Sequence, residues 1–401
     1  MRFILLLAAW PLLHAATEPP LRCYVADLGA HAVTIAWGKA SGTTRNTIGK
    51  GAESSGAAEL QIDGKTLRTT ASWLRVEGLR PDTVYSYSLK VGGAEVAAAS
   101  VRTWPEKASS LTFFVLGDFG NGSRIQYAIA ARMEAERVRR EQAGQPVRFV
   151  VAGGDNIYGK LSSGGSADRD WERKFFAPYQ KTLHAVPFKA VLGNHDGNES
   201  EATKDLAACL DNFFMPDRWY RFTFGDFAEF LALDSTKNQP EGRPAPVFLP
   251  DGEQSRWLET VLAERPLPWR IVIMHHPMFT AGPNHAPFLE AAPHWFAMMK
   301  RSGVQAVFAG HEHNLQVSER NEATGEIQFF VSGAGGELRA SDVRKKMAPR
   351  HIALWSNQNH FLAVTVTDKE MVVEPIGIEP VQLRNPAGAS VPGPVRFRSH
   401  R

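Results

Sequence analysis

The chain has 401 residues, which is enough for two or three domains with buried cores. Its 45 basic and 42 acidic side chains give a formal charge of +3, and this near-balance excludes a nucleic-acid-binding surface driven by net charge. The two cysteines, Cys23 and Cys209, lie too far apart for a metal-binding pair, and their spacing does not decide whether they form a disulfide.

The N-terminus has the pattern of a secretory signal peptide over residues 1–16. Arg2 precedes an apolar run from Phe3 to Leu13, and small residues follow at Ala15 and Ala16. The run is too short to span a bilayer, and no later segment is apolar for long enough to do so. We therefore predict a secreted or periplasmic protein without a membrane span.

Residues 20–105 are predicted to form an all-β domain. Large apolar side chains alternate with smaller ones from Val33 to Trp37 and from Tyr85 to Leu89, as in half-buried strands. Leu79 and Pro81, placed before the alternating tyrosines, resemble the fibronectin type III sandwich with its tyrosine corner; the alternative is an unrelated small β-sandwich. Because the segment contains no cluster of catalytic residue types, we predict a platform or a wall on the substrate side.

Helical and strand patterns alternate over residues 109–375, which predicts an α/β domain. Ser123 can cap a helix that carries Ile125, Ile129 and Met133 on one face, at four-residue spacing. After Thr367 the chain becomes rich in proline and loses this periodicity. Residues 380–401 are therefore predicted to form an extended C-terminal tail.

Five strand-like runs in this domain end in residues that can bind a metal. In the central run, Val147 to Ala152 is followed by two glycines and Asp155. The carboxyl ends of strands meet at one edge of an α/β sheet, so these side chains should converge. A single Asp at a strand end is usually a cap and a single His is usually structural, but the set indicates a metal site. The other four runs lead into Gly117-Asp118, Gly193-Asn194, His275 and Gly310-His311.

The candidate metal ligands combine carboxylate, phenol, amide and imidazole groups. Mixed oxygen and nitrogen ligands suit iron, zinc or manganese rather than a soft thiolate site. Seven protein ligands are too many for one such ion but fit two ions that share a carboxylate, and Asp155 is the best residue to share. The full set is Asp118, Asp155, Tyr158, Asn194, His275, His311 and His313.

These residues lie in blocks that resemble the five ordered motifs of the purple acid phosphatases, which belong to the calcineurin-like metallophosphoesterases. The blocks are GDFG at 117–120, GDNIY at 154–158, GNHD at 193–196, VIMH at 272–275 and GHEH at 310–313. The resemblance implies an α/β (α+β) sandwich of mixed β-sheets flanked by helices. Other metallophosphoesterases commonly have a histidine where this chain has Gly120, and Tyr158 supplies the replacement ligand, as in the purple phosphatases.

The same resemblance divides the ligands between two metal ions. It implies that Fe(3+) is held by Asp118, Asp155, Tyr158 and His313. It also implies that a divalent ion, either zinc, iron or manganese, is held by Asp155, Asn194, His275 and His311. A phenolate in an oxygen-rich set suits a hard trivalent ion, which supports this division independently of the resemblance.

The predicted function is that of an acid phosphatase, in which a metal-activated hydroxide attacks phosphate monoesters. Two histidines are candidate proton donors to the leaving group: His195, which Asp196 could orient, and His285 on a loop rich in proline and glycine. His276 and His294 are expected to pack or to face solvent. The alternatives are a phosphodiesterase or nucleotide-cleaving enzyme of the same superfamily, or a non-catalytic secreted binding protein.

Overall fold

The computed structural model describes residues 20–40, 47–159, 164–197, 206–238 and 247–399. The predicted signal peptide, residues 1–16, lies outside this part of the chain, so export stays a prediction. Among the described residues, no helix is long and apolar enough to cross a membrane. Both cysteines, Cys23 and Cys209, are buried, and neither forms a disulfide within the described part of the chain.

The N-terminal domain is a sandwich of two antiparallel sheets, with the strand orders β1-β2-β5 and β4-β3-β6-β7 in its described part. Its strands are β1 (Leu21–Leu28), β2 (Ala32–Lys39), β3 (Ala58–Ile62), β4 (Lys65–Thr69), β5 (Trp73–Glu77), β6 (Val84–Val91) and β7 (Ala94–Arg102). Trp37 and Tyr87 are buried in the core, and the Tyr85 hydroxyl accepts a hydrogen bond from the Arg80 backbone N–H at 2.8 Å. This contact is a tyrosine corner, which confirms the predicted fibronectin type III-like fold.

The second domain contains two large mixed sheets. Its strands are β8 (Ser110–Leu116), β9 (Val147–Ala152), β10 (Phe188–Ala190), β11 (Tyr220–Phe224), β12 (Ala228–Ala232), β13 (Trp269–Ile273), β14 (Val304–Ala309), β15 (Leu315–Ser318), β16 (Gln328–Ser332), β17 (Ile352–Ser356), β18 (His360–Thr367), β19 (Glu370–Gly377), β20 (Leu383–Arg384), β21 (Ser390–Val391) and β22 (Val395–Arg398). Within the described ranges, one sheet has the order β10-β9-β8-β18-β19-β22 and the other β11-β12-β13-β14-β16-β15-β17-β20-β21.

Helices connect and flank these strands. They are α1 (Arg124–Gln142), α2 (Ala177–Leu183), α3 (Ala207–Asn212), α4 (Glu253–Ala263), α5 (Pro293–Arg301) and α6 (Arg344–Met347), and a π-helical turn at Glu172–Phe176 precedes α2. The Ser123 hydroxyl caps α1 by accepting from the Gln126 N–H at 3.2 Å, as its sequence predicts. Ile129 and Met133 of α1 are buried as predicted, whereas Ile125 in its first turn is 41% exposed. The predicted α/β sandwich of mixed sheets is confirmed.

A layer of phenylalanines holds the two sheets together. Phe113 and Phe149 of the first sheet contact Phe230 of the second, with ring centroids 5.3 and 5.2 Å apart, and Phe113 also lies 5.9 Å from Phe308. The parallel strands β8, β9 and β10 belong to the first sheet, whereas β13 and β14 belong to the second. The five strands with candidate ligands at their ends therefore come from two packed sheets, where the sequence suggested one shared edge.

The described part of residues 380–401 forms short strands instead of the predicted extended tail. Strands β20 and β21 extend the nine-stranded sheet, and β22 pairs with β19 in the six-stranded one. Phe397 of β22 packs between the rings of Trp269 and Phe330, at centroid distances of 6.1 and 6.3 Å. These strands are too short for the sequence to show a hydrophobic period. Only one or two buried side chains hold each of them in place.

The fibronectin type III-like domain packs directly against the second domain. Trp104, at its C-terminal end, lies 5.5 Å from the ring of Phe149 and 5.6 Å from that of Phe224. Polar contacts surround this aromatic cluster: Lys189 pairs with Asp27 at 2.6 Å. Further contacts join Arg22 to Glu172, Arg148 to Asp82, and the Tyr24 hydroxyl to the Asn212 carbonyl.

Trp104→Ala should lower the free energy of unfolding by about 3–5 kcal/mol, because it leaves a cavity where the two domains meet. The control is Ile125→Ala, since Ile125 is 41% exposed on α1 and its loss should cost about 1 kcal/mol or less. Denaturant titration followed by fluorescence and circular dichroism measures both losses. Equal losses in the two variants would contradict the role assigned to Trp104.

Candidate metal centre

The loops that carry the candidate ligands leave their strands through sharp turns. Asp118, Asp155 and His311 have left-handed backbone angles, with φ of 55°, 50° and 72°. Non-glycine residues in this region store strain, which surrounding contacts must offset. Gly120 is required for close packing, because a Cβ atom there would overlap the Asn156 carbonyl oxygen. A histidine at position 120 therefore does not fit this backbone, in agreement with the prediction that Tyr158 supplies the ligand in its place.

Three candidate ligands form one group at the ends of β8, β9 and β14. The Tyr158 hydroxyl lies 3.3 Å from Asp118 Oδ1 and 3.2 Å from His313 Nε2, and the last two atoms are 3.3 Å apart. Oxygen and nitrogen atoms of Asp118, Asp155 and His313 lie within 4.8 Å of one another. Asp118 is fully buried, His313 is nearly so, and Tyr158 is half-buried.

A second group lies beside the first, at the ends of β10, β13 and β14. Asn194 Oδ1 is 3.0 Å from His275 Nε2 and 2.9 Å from His311 Nδ1, and the two imidazole nitrogens are 3.2 Å apart. Asp155 Oδ1 lies 3.4 Å from His275 Nε2. Asp155 therefore belongs to both groups, and the structure brings all seven predicted ligands together.

The second group can be tested for its fit to a metal from its hydrogen bonds. His275 Nδ1 donates to the Gly153 carbonyl at 3.0 Å, so Nε2 of the neutral ring carries a lone pair. That lone pair faces the Asn194 oxygen, which is also an acceptor. Ligand atoms held roughly 2.0–2.2 Å from one ion stand about 2.9–3.5 Å apart, which is the spacing found here. The donor set therefore fits a bound cation better than it fits internal hydrogen bonding.

The pKa shifts of the residues in the first group also favour a bound cation. Burial, together with the Asp118 and Asp155 carboxylates, raises the pKa of Tyr158 well above its usual value. Burial likewise raises the pKa of Asp118. Burial and the charge of Arg339 act to lower the pKa of His313, but the hydrogen-bonded Asp118 carboxylate outweighs them and raises it. A phenolate at Tyr158 thus requires a nearby cation.

Asp196 does not orient His195, which corrects the expectation from the sequence. Its carboxylate is fully buried and accepts from the Asn156 and Ile157 backbone N–H groups at 3.0 and 3.1 Å, and from the Gly193 N–H at 2.8 Å. Burial and the nearby Asp155 raise the pKa of Asp196 to about 7. Asp196 instead ties the loop of Asp155 to the loop of Asn194. Its position in the GNHD block indicates a role at the site, but the sequence does not show that its partners are backbone N–H groups rather than His195.

The two candidate proton donors lie on different sides of the centre. His195 is exposed, its ring lies 4.8 Å from the Tyr158 ring, and its backbone N–H donates to Asp155 Oδ1 at 2.8 Å. His285 is half-buried and its ring lies 3.8 Å from that of His311. Both side chains therefore border the two groups of candidate ligands.

Glu312 is a residue that sequence reasoning missed. It is fully buried between His311 and His313 in the GHEH block. Its Oε1 accepts from His285 Nδ1 at 3.1 Å and from the His285 backbone N–H at 2.7 Å. The carboxylate therefore fixes the position of the His285 ring. A charged residue between two candidate ligands indicates a role at the site, but the spacing of the block does not show which side chain Glu312 would bind.

His276 lies at the centre as well as packing in the core. Its ring stacks on Phe288 and lies 4.3 Å from the His311 ring, and its Nδ1 is 2.9 Å from Ser235 Oγ. Nitrogen atoms of His275, His276 and His311 lie within 4.8 Å of one another. Burial and the neighbouring His275 lower the pKa of His276 well below its usual value, so its ring stays neutral.

Comparison with known proteins agrees with this geometry. Residues 111–315 match the model of the calcineurin-like phosphoesterase family. Tartrate-resistant acid phosphatase type 5 of Oryctolagus cuniculus is 26% identical over 303 residues, which cover 67% of this chain and 88% of that protein. Purple acid phosphatase 3 of Arabidopsis thaliana is 24% identical over 283 residues, which cover 66% and 74% of the two chains.

Solved structures share the fold over nearly the whole chain. The purple acid phosphatase PPD1 from yellow lupin (Lupinus luteus) seeds has a TM-score of 0.65 at 14% identity, covering 95% of this chain and 74% of that one. The structure of PhoD has a TM-score of 0.66 at 16% identity, covering 94% and 93%. The family model spans just over half of the residues, and the relatives imply a dinuclear metal centre. The chain therefore belongs to the calcineurin-like phosphoesterase family.

Proposed function

We propose that this chain is a secreted acid phosphatase that hydrolyses phosphate monoesters at a dinuclear centre containing Fe(3+) and a divalent zinc, iron or manganese ion. The observation that carries the proposal is the pair of ligand groups joined by Asp155, with the Tyr158 phenol in one group only. The names of the acid phosphatase relatives support it at the level of reaction class.

The two groups give each ion a different set of ligands. Asp118, Tyr158 and His313 would hold the ferric ion, because carboxylate and phenolate oxygens suit a hard trivalent cation. Asn194, His275 and His311 would hold the divalent ion, and Asp155 would contact both. When bound, the two ions would polarise the phosphoryl oxygens and lower the pKa of a coordinated water, the ferric ion more strongly than the divalent one.

The histidines at the border of the centre supply the protons. His195 is anchored through its backbone to Asp155 and has an exposed ring, so it can reach the leaving-group oxygen of an ester. His285 is held at Nδ1 by Glu312, which leaves Nε2 as its nitrogen for substrate. Protonation of the leaving oxygen by either ring would avoid release of an unstable alkoxide.

Tyr158→Phe should abolish the visible colour of the iron-loaded protein. A phenolate bound to ferric iron gives a charge-transfer band, so the wild type should be violet or pink. The absorption spectrum should be recorded beside the metal content of both proteins, with circular dichroism as the check on the fold. A colourless and fully active wild type without iron would contradict the ferric assignment.

His195→Ala should keep both metals and lose turnover by roughly 10²–10⁴-fold, because general acid catalysis typically contributes that much. The loss should be larger for alkyl phosphates, which have poor leaving groups, than for activated aryl phosphates. His285→Ala, assayed on the same series, shows which ring carries more of the proton transfer. If His195→Ala matched the wild-type rate on both ester types, its role as the donor would be excluded.

The pH profile should be bell-shaped with a maximum below neutrality. A donor imidazole must be protonated, and histidines ordinarily lose that proton near pH 6.5, so turnover should fall as pH rises through this range. In stronger acid, Asp118, His275 and His313 take up protons in competition with metal. Their pKa values are raised, so this loss begins at a higher pH than for ordinary ligands.

Substrate class distinguishes the proposal from its alternatives. A trivalent and a divalent ion would together bring five positive charges, and the Asp118 and Asp155 carboxylates with the Tyr158 phenolate would offset three of them. The positive charge that remains should favour doubly charged aryl monophosphates over singly charged bis-aryl diesters. Both ester types should be assayed across the pH range with metal-loaded protein. An alkaline maximum with preference for diesters would favour a phosphodiesterase, and no turnover of either ester would favour a binding protein.

A further inference from the structure

Arg339 lies next to the centre without a role in the function proposed above. It follows β16 in the chain, and its backbone N–H donates to the His313 carbonyl at 2.9 Å. Its side chain is partly exposed, whereas the glycine-rich turn before it is buried. Among the described residues no carboxylate forms an ion pair with its guanidinium, and Glu337, two residues earlier, is instead bound by Asn121 at 2.9 Å.

Asn284 holds the guanidinium in place. In the amide orientation that satisfies both groups, Asn284 Oδ1 accepts from Arg339 Nε at 3.2 Å and from Nη1. The Asn284 backbone N–H donates to Glu312 Oε1 at 3.1 Å, beside the two contacts of His285 to the same oxygen. The guanidinium is thus fixed between the His313 side of the centre and the loop that carries His285.

This arrangement leaves donors free for a ligand. A guanidinium has five N–H donors, and Asn284 takes up two of them. The remaining planar donors match a carboxylate or a phosphate, which arginine binds through paired charge-assisted hydrogen bonds. His285 separates Asn284 from the candidate ligands, since its own ring contacts that of His311. Arg339 is therefore connected to the centre through Asn284 and the neighbouring His285 on one side, and through its backbone bond to His313 on the other.

We propose that Arg339 binds a second anionic group, a carboxylate or a phosphate, on the leaving group of the ester. The inference rests on the proposed phosphomonoesterase function and narrows its substrate class to esters whose leaving group carries an additional oxyanion. Arg339 is then a specificity residue, and Asn284 is the residue that positions it. Neither takes part in the chemical step.

Three esters whose phenolic leaving groups differ only in the substituent at position 3 of the ring test this proposal: phenyl phosphate, 3-carboxyphenyl phosphate and resorcinol 1,3-bisphosphate. Arg339→Gln should reduce kcat/KM for the two anionic esters by roughly 10- to 100-fold, mainly through KM, and that for phenyl phosphate by less than about 3-fold. A larger loss on the bisphosphate than on the carboxylate would identify the second anion as phosphate. The matched control is Arg350→Gln, because Arg350 is exposed and paired with Glu290 at 3.0 Å.

Asn284→Ala gives an independent test, since it keeps the charge and removes the support. It should reduce the preference for the anionic esters by a smaller factor than Arg339→Gln. Thermal unfolding of each variant verifies the fold. Equal losses of Arg339→Gln on all three esters, or no loss on the anionic ones, would overturn the proposal.

A binding measurement separates this inference from the proposed function. Phenylphosphonate and 3-carboxyphenylphosphonate have a carbon–phosphorus bond in place of the ester bond and are not hydrolysed. Calorimetry with metal-loaded protein therefore reports affinity without turnover. Arg339→Gln should weaken only the carboxylated compound. If the wild type prefers the carboxylated phosphonate but hydrolyses none of the esters, the proposed function fails and the anion subsite stands. If it hydrolyses the esters but Arg339→Gln leaves both affinities unchanged, the subsite alone fails.

Discussion

The structure depends on one buried carboxylate, that of Asp155. Its Oδ1 accepts from the His195 backbone N–H at 2.8 Å and lies 3.4 Å from His275 Nε2, while the same side chain groups with Asp118 and His313. Two buried carboxylates side by side are costly, because each loses its hydration and repels the other. A cation on either side of Asp155 offsets both costs. The strained turns, and the hydrogen bonds that support them, hold the candidate ligands at positions where a cation can offset the cost of burying the two carboxylates.

The fold enforces this geometry through the contact between its two sheets. Asp155 and Asn194 follow strands of the first sheet, whereas His275 and His311 follow strands of the second. The distances within the second ligand group therefore depend on the phenylalanine layer between the sheets. Asp196 fixes the two loops of the first sheet to each other through three backbone N–H groups. Left-handed turns such as that of Asp155 cost about 1–3 kcal/mol each, and these contacts make that cost tolerable.

Much of this could be predicted from the sequence, because ligands must follow strand ends and strands have a readable period. The N-terminal sandwich, the cap of α1 and the convergence of the seven candidate ligands all rest on such local patterns. The division of β8 to β10 and β13 to β14 between two sheets could not be predicted, since the period of a strand does not encode its partner. Residues 380–399 were misread for a related reason: Phe397 anchors β22 alone, and one buried side chain forms no pattern.

The residues to which sequence reasoning assigned a wrong role or none share a physical feature, because each acts through a partner distant in the chain. The Asp196 carboxylate accepts hydrogen bonds from backbone groups about 40 positions earlier, and Glu312 binds a histidine 27 positions earlier. The Arg339 guanidinium donates to Asn284, which lies in the same loop as that histidine. Glu312 is the clearest case, because its Oε1 receives three donors while its buried Oε2 has no hydrogen-bond partner in the described structure. A carboxylate buried with one oxygen unpaired costs stability. Its position is explained by the loop it fixes, since Asn284 and His285 together place an imidazole against His311 and a guanidinium beside His313. In the proposed function, the candidate metal ligands would hold the phosphate that is attacked, and this loop would select the group to which that phosphate is attached.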